Sequence, residues 1–251
     1  MHLVSVVLPI RPECKTLVRS LTSIVQQDYE NTQIVAVLDR DSGSNEEVLR
    51  QIVPARNLEI VHANYLSMGF AAMLNLGIEA SAGDYIARHD DDDIAVSSRL
   101  SKQMNAFAND SQLGLVTGWA EVVNQSGESK YWIRPPMRHE DISHALLSKN
   151  VIPHSSVVFK KEIWQRVQGY RDGMISCEDY DLWLRMVPHT KILGLQEKLV
   201  TYLSNPEGMT ATPIPKMSIK LIRESRKSAQ VFLRVKWPKT WLQTLIWELG
   251  Q

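Results

Sequence analysis

Apolar positions follow two rhythms in the first half of the chain, and the rhythms alternate. Leu3-Val4-Ser5-Val6-Val7-Leu8 is a short, nearly continuous apolar run stopped by Pro9, as expected of a strand buried on both faces. Leu17, Leu21, Ile24 and Val25 then recur at i, i+4, i+7 and i+8, along one face of a helix. Ile34 to Leu38 predicts a second buried strand ending at Asp39, Glu46 to Ile52 a short helix, and Leu58 to His62 a third strand. Phe70, Leu74 and Ile78 stripe the next helix, Gly83 punctuates, and Asp84 to Arg88 predicts a fourth strand. Leu100, Met104 and Phe107 mark another helix with Ser97 or Ser98 as its N-cap, and Leu113 to Thr117 a further strand. Buried strands alternating with amphipathic helices imply an α/β fold, with a mostly parallel central sheet covered on both faces.

The second half is less regular. Val157 to Phe159 predicts a strand and Lys161 to Val167 a short helix. Tyr180, Trp183, Leu184 and Val187 fall at helical spacing and are expected in the core. Glu178 and Asp179 then lie in the first turn of that helix, where the helix dipole favours carboxylates. From Lys216 onward eight Lys and Arg residues stand against Glu224 and Glu248, interleaved with Phe232, Trp237, Trp241, Leu245 and Trp247. This tail reads either as a helical cap on the domain or as a basic aromatic surface resting on an anionic membrane. Pro238 prevents one uninterrupted helix.

Composition narrows the function classes. A chain of 251 residues with 44% hydrophobic and 22% charged content suits one sizeable α/β domain. Lys plus Arg equals Asp plus Glu at 28 each, so no global field points to nucleic acid. Cys14 and Cys177 alone make no disulfide framework and fit a reducing compartment. No signal-peptide pattern opens the chain, and no run approaches the roughly 20 apolar residues that span a bilayer. The expected location is the cytoplasm, with peripheral contact to the inner face of the plasma membrane if the tail binds lipid.

The candidate chemistry is concentrated in Asp90-Asp91-Asp92-Asp93, which follows the apolar run Tyr85-Ile86-Ala87. Adjacent carboxylates repel, so a fold retains them by solvating them or by supplying a cation. A bend at a strand end lets alternating carboxylates, Asp90 and Asp92, converge on a hard divalent ion such as Mg²⁺ or Mn²⁺. Open α/β sheets bind ligands beyond the carboxyl ends of their strands, and both Asp39 and this cluster occupy such ends. An EF-hand loop is excluded, because it needs Gly at its sixth position and Glu at its twelfth, where the chain has Ala95 and Ser101.

The motifs, taken in order, resemble glycosyltransferase family 2, the inverting nucleotide-sugar transferases of GT-A fold. The resemblance runs from about Val4 to Tyr202. Val4 to Pro9 resembles the opening strand and Ser23 to Tyr29 the "Ser-x-x-x-Gln-Thr-Tyr" segment. Gly69 to Gly77 resembles the "Gly-x-x-x-Ala-x-Asn-x-Gly" helix. Asp90-Asp91-Asp92 matches the Asp-x-Asp metal motif, with Arg99 to Gln103 as its usual sequel. Pro153 to Phe159 is similar to the "His-Pro-Ser-Val" strand. Gly169-Tyr170 followed by Glu178-Asp179-Tyr180-Asp181-Leu182-Trp183-Leu184-Arg185 resembles the acceptor-side motif. Each motif alone is weak, but the ordered set is specific.

The resemblance implies one GT-A domain over 1–215, with a Rossmann-like nucleotide-sugar half (1–119), an acceptor half (120–215) and a helical extension over 216–251. It places Pro9, Arg11, Asp39, Asn75, Asp90, Asp91 and His154 on the nucleotide sugar, and Asp92 with Asp90 on the metal. Asp39 would accept from the base NH of a uracil, and Arg11 would stack on the base or face a phosphate. Asp179 is the implied catalytic base, with Glu178 beside it. Implied partners are a nucleotide-sugar donor, with UDP as the expected nucleotide, and a glycan or polyprenyl-linked acceptor in bacterial surface polysaccharide or lipopolysaccharide synthesis.

There are departures. Leu38-Asp39-Arg40-Asp41 replaces the usual Asp-Asp-Gly-Ser, and Tyr202-Leu203-Ser204-Asn205 replaces a closing Tyr-Arg-x-His. The Gln-x-x-Arg-Trp motif of processive synthases is missing, which favours addition of a single sugar. A sugar-phosphate nucleotidylyltransferase would want a Gly-rich loop where the chain has Pro9-Ile10-Arg11-Pro12. The alternative from another class is a catalytically silent relative that binds nucleotides or glycans.

Overall fold

A computed structural model describes residues 1–12, 14–39, 43–64, 68–204 and 213–234. Its centre is a nine-stranded sheet in the order β3-β2-β1-β4-β8-β6-β9-β5, with β7 paired to β6 off this path. The strands are β1 (Val4–Ile10), β2 (Thr32–Asp39), β3 (Leu58–Ala63), β4 (Tyr85–Arg88), β5 (Ile94–Ala95), β6 (Leu113–Val123), β7 (Ser129–Ile133), β8 (Val158–Lys160) and β9 (Lys191–Leu203). The pairings run parallel through β3, β2, β1 and β4 and again at β6 with β9. The pairs β4–β8, β8–β6, β6–β7 and β9–β5 are antiparallel. Six strands therefore share one direction, and β5, β7 and β8 oppose them.

Strand β1 shows why the sheet is covered on both faces. Val6, Leu8 and Ile10 enter one apolar layer, and Val7 enters the other. The first layer is closed by α1 (Leu17–Val25), α2 (Gly43–Ile52) and α4 (Arg99–Asn109), through Leu17, Leu21, Leu49, Leu100 and Met104. The second is closed by α3 (Phe70–Ala80), α5 (His139–Leu146), α6 (Lys161–Arg166), α7 (Glu178–Met186) and α8 (Lys216–Leu233). Tyr180, Trp183, Leu184 and Val187 are all buried, as their spacing predicts. Ser98 is the N-cap residue of α4, but its side chain makes no cap hydrogen bond.

Helix α3 lies so close to the sheet that a side chain at Gly77 has no room. A Cβ built there would sit 2.7 Å from Val37 Cγ2 and 2.7 Å from Val7 Cγ1. Both are branched side chains fixed on central strands, so they cannot swing away cheaply. Gly77→Ala is expected to destabilise the fold by about 1–3 kcal/mol, read as a lower urea midpoint with an unchanged slope.

Several expectations need correction. Pro9 does not end β1, which continues to Ile10. The carbonyl of Val7 accepts from the His89 N–H at 3.2 Å, so residues 5, 7 and 9 of β1 turn their backbone polar groups toward β4. Since β4 pairs with β1 only as far as Val7, the missing N–H of Pro9 costs no ladder bond. Strand β6 runs to Val123, well past Thr117, and the 13-residue β9 was not foreseen. The tail also divides. Residues 216–233 form α8, which buries Ser218, Ile222, Ser225, Arg226 and Ala229 against the domain. Trp237, Pro238, Trp241, Leu245 and Trp247 lie outside the described residues. No helix among the described residues is long and apolar enough to cross a membrane.

Candidate active site

The chain passes from β1 to β2 and β3 on one side, then returns to place β4 on the other side of β1. In open α/β sheets such a reversal is where ligands bind, beyond the carboxyl ends here of β1 and β4. Arg11 follows β1, Asp39 closes β2, and Asp90 to Asp93 follow β4, so three sequence-predicted groups meet at one rim. Arg40, Asp41 and Asn205 lie outside the described residues.

The four aspartates make a tight turn, closed by a hydrogen bond from the Asp93 N–H to the Asp90 carbonyl at 3.3 Å. The start of α1 cradles its backbone. Ser20 Oγ donates to the Asp90 carbonyl at 2.8 Å, and Thr16 Oγ1 to that of Asp91 at 3.2 Å. Beneath it lies a buried polar layer. Arg99 donates to the carbonyls of Arg88 and Val157 at 2.9 and 3.0 Å, and faces His89 Nδ1 at 3.2 Å. A guanidinium has no acceptor, so Nδ1 must accept and Nε2 carries the proton it shares with the Asp93 carbonyl at 3.2 Å. Burial, aided by Arg99, holds His89 neutral with its pKa down at about 3.

The turn sends its side chains to different partners. Asp91 is buried and points back to Arg11, accepting from its backbone N–H at 2.8 Å and from Nη2 at 2.6 Å. Asp92 accepts from the same Nη2 at 2.8 Å. Asp90 pairs with the buried Arg88 and accepts from Ser155 Oγ at 3.0 Å. Burial works to raise the Asp90 carboxyl, but Arg88 prevails and holds it at about 2. Burial and the charge of Asp90 raise Asp92, while Arg11 only partly offsets them. Asp93 is buried and its Oδ2 has no hydrogen-bond partner, so burial and the neighbouring carboxylates push it well above the usual range.

Asp90, Asp92 and Asp93 each offer an oxygen within 4.8 Å of the others. Three converging hard donors, one of them buried and unpartnered, fit a divalent cation. Asp91 takes no part in the cluster, whereas Asp93 does.

The second carboxylate pair opens α7. Asn150 Nδ2 donates to Asp179 Oδ2 at 2.8 Å, and the Tyr180 N–H donates to Oδ1 at 2.7 Å. Glu178 is buried, and its Oε2 has no partner. Burial, with Asp179 next to it, drives the Glu178 carboxyl up to about 8. Burial also raises Asp179, but the two hydrogen bonds it accepts oppose that shift.

One polar chain joins the two carboxylate groups. Arg88 Nη1 donates to Ser155 Oγ at 2.7 Å, which in turn donates to Asp90. The adjacent His154 shares a 2.8 Å hydrogen bond with the Tyr170 hydroxyl through Nε2 and places Nδ1 3.9 Å from Glu178 Oε1. Burial, reinforced by Arg88, keeps His154 neutral. Tyr202 accepts from the Ser155 N–H at 2.9 Å, fixing this segment from β9. Asn75 turns its side chain to the backbone of Tyr170. Its amide donates to the Tyr170 carbonyl at 2.8 Å and accepts from the Tyr170 N–H at 2.9 Å, bracing the loop that carries the phenol. Arg88 was missed altogether. The available signal was a buried strand closing on an arginine just before four aspartates.

Comparison with known proteins accords with this geometry. Residues 5–166 match the family model described as Glycosyl transferase family 2. The O-antigen biosynthesis glycosyltransferase WbnJ of Escherichia coli is 30% identical over 208 residues, covering 80% of each chain. An uncharacterised glycosyltransferase of Methanocaldococcus jannaschii is 28% identical over 205 residues, covering 80% of this chain and 70% of that one. Among solved structures, S. aureus TarS 1-349 in complex with UDP-GlcNAc superposes with a TM-score of 0.71 at 12% identity, over 96% of this chain and 69% of that one. The mannosyltransferase PcManGT from Pyrobaculum calidifontis, in complex with GDP-Man and Mn2+, gives 0.64 at 16% identity, over 98% and 74%.

Proposed function

The chain belongs to glycosyltransferase family 2, and from that premise we propose that it transfers one sugar, with inversion, from a nucleoside diphosphate sugar to a hydroxyl of a glycan. The observation that carries this reading is the pairing of two unlike carboxylate groups across one polar chain. Asp90, Asp92 and Asp93 converge at the strand ends, and Glu178 with Asp179 opens α7.

Asp90, Asp92 and Asp93 would hold the divalent cation, which when bound offsets the charge of a departing diphosphate. Arg11 holds Asp91 and Asp92 in place and lies on the side where phosphates would enter, while Asp39, ending β2, faces the nucleoside. Asp179 accepts the proton from the acceptor hydroxyl as that oxygen attacks the anomeric carbon. The glycosidic bond to the diphosphate breaks on the opposite face, through an oxocarbenium-like transition state. Asn150 and the Tyr180 N–H both donate to Asp179, favouring its charged form, whereas Glu178 Oε2 has no such donor and burial raises its carboxyl. Relatives named for UDP-GlcNAc and GDP-Man leave the nucleotide open, and UDP is the first to test. The name of WbnJ supports a bacterial surface glycan as acceptor, whether free or polyprenyl-linked.

A thermal-shift series with UDP, GDP and ADP, with and without Mn²⁺, tests the donor site. One nucleotide is expected to raise the melting midpoint only with the metal, because a ligand selective for the folded state stabilises it. A flat response to all three, with and without Mn²⁺, would sink the reading, and a shift with no turnover of the matching nucleotide sugar would favour a silent relative.

A further inference from the structure

Asp179 is held from two directions. Asn150, in the segment after α5, grips its carboxylate at 2.8 Å, and the first turn of α7 supplies the Tyr180 N–H at 2.7 Å. Both supports lead to one side chain on α8. Arg226 is buried and donates through Nη2 to the Ser148 carbonyl at 3.0 Å, two residues before Asn150. Through Nε and Nη2 it also donates to the Tyr180 hydroxyl at 3.0 and 2.7 Å, one residue after Asp179. That hydroxyl passes its own proton to the Leu146 carbonyl at 2.6 Å, returning to the end of α5. Next to Arg226, Ser225 Oγ donates to the buried Asp181 at 2.7 Å, fixing α8 to the same turn of α7.

Apolar packing alone would hold α8 against the domain through Ile222 and Ala229, both fully buried. It would not need a buried guanidinium, whose desolvation is costly unless its donors are met by well-placed acceptors. Here those acceptors belong to the two segments that aim Asp179.

We infer that Arg226 is a positioning residue for the carboxylate pair, setting the distance between the Asn150 segment and the first turn of α7. The inference rests on the reading of Asp179 as the base. It gives α8, which lies beyond the family-matched residues 5–166, a part in the reaction rather than in stability alone.

The test uses the full chain with four variants, Arg226→Lys, Tyr180→Phe, Asp179→Asn and Lys227→Met, the last on the exposed face of α8. Hydrolysis of UDP-GlcNAc, UDP-glucose and UDP-galactose is followed with Mn²⁺, and kcat, KM and the melting midpoint are measured for each protein. Displacement of a reacting group by about 1 Å costs on the order of 100-fold, so Arg226→Lys and Tyr180→Phe are expected to lose about that much in kcat. Their KM for the donor should stay within about threefold, and Lys227→Met should match the parent. If Arg226→Lys does not fold, Tyr180→Phe carries the test, since it removes the phenolic oxygen that receives Arg226. Parental kcat in both variants, or a kcat loss that merely follows a collapsed melting midpoint, overturns the positioning role. Parental turnover in Asp179→Asn instead overturns the base assignment beneath it. An inactive parent on all three donors counts against a UDP-sugar donor, and the same four variants are then read on GDP-mannose, where an inactive parent counts against both.

Discussion

Asp179→Asn will remove turnover by about 10³-fold while leaving donor affinity close to the parental value. Asparagine preserves the shape and keeps the acceptor that faces the Tyr180 N–H, but it cannot take up the proton of an attacking hydroxyl. The neighbouring residue supplies the control. Burial pushes the Glu178 carboxyl up to about 8, so Glu178→Gln copies the protonated form favoured below that value and is expected to retain most activity. The same substitution has a signature in stability. Between the ordinary glutamate value of 4.5 and about 8, the folded chain keeps a proton that the unfolded chain releases. The contribution of Glu178 to stability therefore falls as pH rises across that window, and Glu178→Gln should flatten the decline. Steady-state kinetics and urea titrations at pH 5, 6, 7 and 8 check both halves. If Glu178→Gln were inactive and Asp179→Asn active, the two roles would have to be exchanged.

The second large effect is expected at Asp92. It is the candidate ligand of the cluster that also shares Arg11 with Asp91. Its removal leaves Arg11 held by Asp91 alone and takes one hard oxygen from the candidate cation site. Asp92→Ala is expected to lower donor turnover by about 100-fold or more, comparable with losing one group aimed at developing charge. Activity is not the only measure. Mn²⁺ should no longer raise the melting midpoint, and its electron paramagnetic resonance signal should remain that of the free aqueous ion. Asp91→Asn should differ, retaining Mn²⁺ binding, because Asp91 faces Arg11 rather than the cluster. Equal loss of Mn²⁺ binding in both variants would rule out the assignment of Asp90, Asp92 and Asp93.

The parts of the fold that were legible in the sequence follow from burial on both faces. Strands β1, β2 and β4 are continuous apolar runs, and α1, α3 and α4 carry clean stripes, so their order announces a covered parallel sheet. The acidic turn was legible because four carboxylates at a strand end have few other uses. What was hidden has particular physical causes. Strand β9 mixes buried and exposed residues without a strict alternation, since register shifts near Gly118 and Trp119 of β6 break its pairing into pieces. Arg88 reads as a surface charge, yet it is buried, because Asp90, two residues on, pairs with it. The inward face of α8 is Ser218, Ile222, Ser225, Arg226 and Ala229. That is a helical stripe by position but not by polarity, so no search for apolar periodicity would find it. Asn75 could be placed on its helix but not given its partner, because hydrogen bonds to the backbone of Tyr170 leave no mark in local pattern.

Proline at position 9 has a consequence for the edge of β1. Beyond Val7 the edge of β1 that faced β4 has lost its neighbour, and an ordinary residue there would offer an N–H to any extended segment passing by. Pro9 withholds that donor at the level where β4 turns away into the aspartates. The β1–β4 ladder thereby stops at Val7 without a stranded donor beside the acidic turn.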